Sequence, residues 1–263
     1  MKHFLYLAAA LFLTTACTQE EPTYKEGQAL TFQISDEGYN GAEPSRATEN
    51  GYATEFAAGD ACGMYMVRNG KVAYANVKLT ATVDGTSGDM AWQPETPITG
   101  TGEGEAYYLY YPYQADMDGQ TAVPAGTDQK AKSFFQPLIA GWQPAADQST
   151  VAAYAASDLM TATGIASLNT GTNKIQISFG MTHRMALAVI ETPDSYAAPV
   201  LTFADESPKA LAMANGTYRY IVNPASPQTL SGLCDNGTKK FTFSTSGLAN
   251  NQYKTYKLDG GKQ

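Results

Sequence analysis

The chain is poor in the residues that usually carry chemistry. It has 2 histidines, 3 cysteines and 2 tryptophans among 263 residues. Its arginines are Arg46, Arg68, Arg184 and Arg219 alone. Beyond residue 16 a single histidine is left, His183 in Gly180-Met-Thr-His-Arg-Met-Ala186. A Ser–His–acid triad would have to be built around it, with the nucleophile on a sharp turn, and no Gly-x-Ser-x-Gly occurs. His183 therefore reads as a hydrogen-bonded structural histidine between two strands. Cys62 and Cys234 have no close Cys or His at metal-ligand spacing, and one distant pair is no disulfide framework. Cys62, in the apolar stretch Ala61–Val67, reads as a small buried hydrophobe. Basic charge is also short: 17 Lys+Arg stand against 25 Asp+Glu, a formal charge of −8. That balance argues against nucleic acid or an anionic membrane face as partner.

What is present begins at the amino end. Lys2 precedes the apolar run Phe4–Leu13, which at ten residues is too short to span a bilayer and suits the core of a secretory signal. Small residues, Thr14, Thr15 and Ala16, lead into Cys17 and then Gln19-Glu20-Glu21. The arrangement resembles a bacterial lipoprotein signal covering residues 1–16, with Cys17 as the lipid-carrying first residue. An ordinary secretory signal beside an incidental cysteine is the competing reading. Acids after the cysteine fit a solvated tether. Lys2 is the only charge ahead of Cys17, so the part from Cys17 onward carries −9.

The remainder reads as β structure: 24 Gly, 13 Pro and 17 Tyr, with little sustained helical periodicity. Period-two alternation is plain in Leu30–Ile34, Val77–Val83 and Ile175–Phe179, and weaker in 185–190, 200–203, 218–222, 240–244 and 253–258. Asn69-Gly70, Asp84-Gly85, Asn215-Gly216 and Asn236-Gly237 supply turns that tolerate positive φ, and the first predicts a hairpin. Ser149–Ala162 is Ala-rich and predicts a short helical segment whose Leu159 and Met160 seek cover. Many short strands between such turns point to antiparallel sandwiches. The expected layout is a tether or pro-segment with one strand over 17–46, an N-terminal sandwich over 47–170 and a short C-terminal sandwich over 171–263.

Other candidate sites have plain alternatives. Gly100–Glu105 lacks the strand-before, helix-after context of a phosphate loop and reads as a turn, with Glu103 and Glu105 solvated. Asp116 and Asp118 lack the further ligands of a calcium loop and read as turn residues. In Tyr107–Tyr113, alternation places Tyr107, Leu109 and Tyr111 on one side of a strand and Tyr108 and Tyr110 on the other. The segment is either a stacking surface for sugar or peptide, or a strand covered on both faces, and the second is preferred. Arg46, in Ser45-Arg-Ala-Thr48, is either a protease target in an extendable segment or an incidental surface residue.

Taken in order, Cys17, Ser45–Thr48, Phe56–Asp60, Gly63–Val67, Trp92, Tyr107–Tyr113, Asp158–Met160, Ile175–Phe179 and His183–Leu187 resemble the fimbrillin family, the FimA/Mfa-like pilin lipoproteins of Bacteroidetes. The likeness is fairly specific over residues 28–190 and only general beyond. It implies an all-β fold of two tandem transthyretin-like antiparallel β-sandwiches, exported as a surface lipoprotein of the outer membrane. It implies a fimbrial subunit supporting cell adhesion, and no enzyme. In polymerising members an Arg-directed protease removes the N-terminal strand, and another subunit's strand fills the groove. Here the cut would fall between Arg46 and Ala47, and the expendable strand would present Leu30, Phe32 and Ile34. Partners so implied are other fimbrillin subunits, membrane lipid through Cys17, and a host or bacterial surface ligand. No cofactor, metal or catalytic residue is assigned. The carboxyl end departs from the family pattern, with no long terminal strand and no Ile…Trp finish. The alternative is a non-polymerising surface lipoprotein that binds carbohydrate or host molecules.

Overall fold

The computed structural model describes residues 27–41, 52–85, 88–119, 123 and 130–258. In chain order the first strands are β1 (Gln28–Asp36), β2 (Asn40–Gly41), β3 (Ala61–Arg68), β4 (Lys71–Val83), β5 (Met90–Pro94), β6 (Thr99–Gly100) and β7 (Glu105–Tyr111). A 3-10 turn at Ala115–Gly119 and the short helices α1 (Ala131–Phe134), α2 (Gln136–Gly141) and α3 (Val151–Ser157) follow. Then come β8 (Met160–Asn169), β9 (Lys174–His183), β10 (Ala186–Glu191), β11 (Leu201–Phe203) and β12 (Leu211–Ala212). The series ends with β13 (Tyr218–Val222), β14 (Thr229–Cys234), β15 (Lys239–Ser244) and β16 (Gln252–Lys257).

The fold is all-β. An eight-stranded sheet runs β5-β4-β3-β7-β8-β9-β1-β6, and a further β1–β5 pairing closes it on itself at β1. The second unit sets a five-stranded sheet, β12-β13-β10-β16-β2, beside a three-stranded one, β11-β14-β15. Ala188, Ile190, Tyr220 and Val222 of the larger sheet meet Leu230, Cys234 and Phe241 of the smaller across one core.

Local sequence explains the elements. β9 buries every second residue, Ile175, Ile177, Phe179, Met181 and His183, as period-two alternation requires. Asn69 and Gly70 both have positive φ (51° and 71°), the primed turn that joins β3 to β4. The cluster in β7 is covered on both faces. Tyr107, Leu109 and Tyr111 enter the first core, while Tyr108 and Tyr110 pack against Phe134 and Phe135 of the helical connection. Gly63 of β3 stands opposite Tyr110, and a Cβ there would lie 2.1 Å from that ring. Only glycine admits the tyrosine, whose hydroxyl donates to Asn76 Oδ1 at 2.6 Å.

Three expectations need correction. The Asn169–Asn173 turn is not a domain boundary: it is the hairpin between β8 and β9, with Asn169 paired to Lys174 in the first sheet. Apart from β2, the strands of the second unit begin only after His183; Gly/Asn/Thr-rich turns look alike in hairpins and linkers, so the turn alone does not mark a boundary. Within the 17–46 stretch the described residues, 27–41, hold two strands and not one, β1 in the first sheet and β2 in the second. Nor are the sheets purely antiparallel. β1 runs parallel to β9, and β16 runs parallel to both β10 and β2. Strands so far apart in sequence have ample chain for the crossover that parallel pairing needs.

Candidate functional site

β1 is held along both edges. On one side it pairs with β9 from Leu30↔Ile175 to Asp36↔Met181. On the other, Gln28 and Ala29 pair with β6, Leu30 N–H donates to the Ile98 carbonyl at 3.1 Å, and Phe32 pairs with Trp92 of β5. Leu30 and Phe32 are buried in the first core, and Ile34 is half-buried against it. The alternation read at Leu30, Phe32 and Ile34 is therefore the inward face of a strand that closes a sheet.

The chain then crosses from one unit to the other. Asp36 Oδ1 accepts from the Gly38 amide at 3.0 Å, and Gly38 takes φ 72°, which turns the strand aside. Glu37 N–H still reaches the Met181 carbonyl, while Asn40 N–H reaches that of Asn251 in the second unit. Asn40 and Gly41 then pair with Gln252 and Tyr253 of β16. Residues 28–41 are thus a strap laid over both sheets.

Where the strap turns, a charged cluster is buried. His183 is wholly enclosed at the end of β9, stacked on the Tyr39 ring at 3.6 Å. Its Nε2 lies 3.1 Å from Asp36 Oδ2 and its Nδ1 3.0 Å from Asp158. Tyr39 donates its hydroxyl to Asp158 Oδ1 at 2.7 Å, and the Thr54 amide donates to Asp36. A neutral imidazole carries one N–H only, so it would turn a lone pair toward one carboxylate. The two contacts therefore call for the imidazolium. Burial pushes the His183 pKa down, but Asp158 and then Asp36 override it and raise it to about 9. Burial likewise pushes Asp36 up, but the His183 hydrogen bond and charge, with the Thr54 and Gly38 amides, hold it below the usual range. Tyr39 is pushed well up, by burial first and then by Asp158. With both ring nitrogens engaged and no exposed surface, His183 is placed to hold elements together rather than to move a proton to a substrate.

Cys17, Arg46 and Ala47 lie outside the described residues. Cys62 and Cys234 are free and buried, one in each core. Asp116 is exposed in the 3-10 turn. The rings of Tyr107, Tyr108, Tyr110 and Tyr111 are buried, which leaves only the part-exposed Tyr113 of the stacking surface on which carbohydrate binding rested. Glu103 is exposed, but the expectation of a solvated Glu105 is wrong. Its side chain is fully enclosed: it pairs with Arg68 at 2.6 Å, accepts from the Thr101 and Gly102 amides, and accepts from the Tyr107 hydroxyl. It organises the glycine-rich turn from inside. Among the described residues no group of three or more His, Cys, Asp and Glu could hold a metal ion.

Sequence reasoning gave His183 a structural role but did not find its partners. By sequence Asp36 falls in the polar 17–46 stretch and Asp158 stands beside the apolar Leu159 and Met160, so neither points to the histidine. The available signal is that a lone histidine in an apolar strand needs polar partners once it is buried.

Comparison with known proteins completes the picture. Residues 45–253 match the model of a family described as fimbrillin-like. The chain is 34% identical over 194 residues to a Bacteroides ovatus protein named for a fimbrium tip subunit, Fim1C; the match covers 72% of this chain and 34% of that one. A crystal structure of a fimbrial protein from Bacteroides ovatus superposes with a TM-score of 0.69 at 26% identity, covering 90% of this chain and 50% of that one. The chain therefore spans about a third to a half of the length of these relatives.

Proposed function

Because the chain belongs to the fimbrillin-like family, we propose that it is a structural subunit of a cell-surface fimbrium that assembles by strand exchange and supports adhesion. The observation that carries this reading is the seat of β1. It is the strand at which the first sheet closes, and its removal would bare the edges of β9 on one side and of β5 and β6 on the other. Unpaired edges flanking an apolar trough are a template for another chain's strand. Leu30 and Phe32 leave room for side chains at alternate positions, which fixes the register of whatever replaces them. Export as a lipoprotein anchored through Cys17, and release of the strap by cleavage after Arg46, would set when the trough opens. The role is structural and needs no catalytic group.

Mass spectrometry of surface-sheared material tests this directly. A mature chain beginning at Ala47 and lacking residues 17–46 is expected in the polymer fraction. Lipidated Cys17 at the start of the chain in every fraction would overturn assembly by strap removal and leave an anchored surface protein. The carbohydrate-binding alternative is weakened, since of the five tyrosines in Tyr107–Tyr113 only Tyr113 is part-exposed and the other four are buried.

A further inference from the structure

The trough that seats β1 does not end at its apolar positions. Two residues beyond Ile34, where Asp36 pairs with Met181, it ends on the Nε2 edge of His183. The opposite ring nitrogen is committed to Asp158, which also accepts from Tyr39, and both His183 and the Asp36 side chain are essentially sealed from water. Resting on the strand-exchange reading above, we infer that this end of the trough is a carboxylate-selecting subsite. The strand another subunit donates must carry alternating apolar residues and then an acid two places after the last of them, set against His183.

The selection follows from what the alternatives would leave behind. An apolar side chain at that place would bury a cationic imidazole against hydrocarbon on its strap side, with a hydrogen-bond donor unmet. A lysine or arginine would set like charges together, which rejects the wrong partner more strongly than a missing contact does. An asparagine could accept from Nε2 but brings no charge, and charge-assisted bonds are roughly twice as strong as neutral ones. A one-residue slip would move the acid away from His183 and turn the apolar set outward at the same time, so the acid and the alternation specify a single register. The titratable and charged groups around the site are Asp36 and Tyr39 of the strap, Asp158 before β8, and Tyr154 of α3, which feels the charges of Asp158 and of Arg219 on β13. His183 is the group among them whose charge changes at mildly alkaline pH.

The test uses the full chain carrying a site-specific protease sequence between residues 42 and 51, cut so that the strap stays bound without a covalent link. A fluorescent peptide of residues 27–41 is exchanged in, and the same peptide with Asp36→Asn competes against it. At pH 7 the Asn peptide should bind on the order of 10–100-fold more weakly. The gap should close as the pH passes about 9, where His183 loses its proton. Equal affinity of the two peptides at pH 7 overturns the acid requirement and leaves strand exchange standing. Failure of the unaltered peptide to enter overturns strand exchange and this inference together. A second measurement needs no cut: hydrogen exchange in uncut Asp36→Asn protein should speed up in β1 while β3 and β4 keep their protection. Unchanged β1 protection in that variant counts against the subsite.

Discussion

Phe32 of β1 stands opposite Trp92 of β5, the pairing through which the first sheet closes. Trp92 in turn packs edge-on against Phe56, whose ring meets Tyr111 in the same way. The N-terminal strand is thus tied into the aromatic part of the core and is no loose cover. Phe32→Ala should cost about 3–5 kcal/mol, the usual range for emptying a buried aromatic site. Urea unfolding measures the loss, and hydrogen exchange should show it concentrated at residues 30–36. A cost within experimental error would mean that β1 contributes no packing.

The charged junction predicts a direction with pH. The folded-state pKa of His183 is raised, to about 9 from an ordinary 6.5, so folding takes up a proton between those values. Its contribution to stability is complete below about pH 6.5 and drains away as the pH rises through about 9. The Asp36 pKa is lowered, so its share is present above the ordinary carboxylate range and is lost on acidification. Wild-type denaturation midpoints should therefore fall from pH 6.5 to 9. His183→Gln should flatten that slope while lowering stability at pH 7 by roughly 3–5 kcal/mol, since it leaves two buried acids without their cation.

Gly63 offers a steric test of the covered tyrosines. An alanine methyl there would meet the Tyr110 ring and the Asn76 side-chain oxygen, at 2.1 and 2.6 Å. The ring is boxed in by Phe135 and Tyr65, so it cannot swing clear without disturbing the helical cover. Gly63→Ala should cost about 1–3 kcal/mol by overpacking. Tyr110→Leu in the same chain should recover part of it, and thermal melts of the single and double variants decide the matter.

Glu105 tests the glycine-rich turn. Its carboxylate is enclosed and accepts from the Arg68 guanidinium, the Tyr107 hydroxyl and the Thr101 and Gly102 amides. These partners hold its pKa low against the upward push of burial. Glu105→Gln keeps the shape and removes the charge, and should cost roughly 2 kcal/mol, the scale of hydrogen bonds to a charged group. Arg68 is partly exposed and can find water once Glu105 is replaced, whereas Arg68→Met leaves the enclosed carboxylate without its cation and should cost more. Chemical denaturation of the two variants compares them.

Much of this architecture was legible from side-chain period. β1, β9 and the β3–β4 hairpin follow from alternation and from Asn69-Gly70, because a half-buried strand and a primed turn leave local marks. The double burial of Tyr107–Tyr111 could be read as well, since apolar bodies on both faces of a strand require two covers. Pairing partners could not be read. Nothing local in Leu30–Ile34 says that it lies parallel to Ile175–Phe179, because that choice depends on chain passing far away. α1 and α2 leave no such mark, because Ala131–Gly141 has too few turns for a helical period to show. The Asp36–His183–Asp158 cluster was hidden for the same reason as the parallel pairing: its members come together only when β1, β9 and the segment before β8 are in place.

The strap has a consequence for how the molecule melts. Residues 28–36 complete one sheet and residues 40–41 extend the other, so neither unit can lose its share of that peptide without tugging at its neighbour's. Contiguous structure of this kind tends to open as one cooperative block. An intact chain scanned in a calorimeter should give one endotherm, and a chain relieved of the strap should give two, the first sandwich going at the lower temperature.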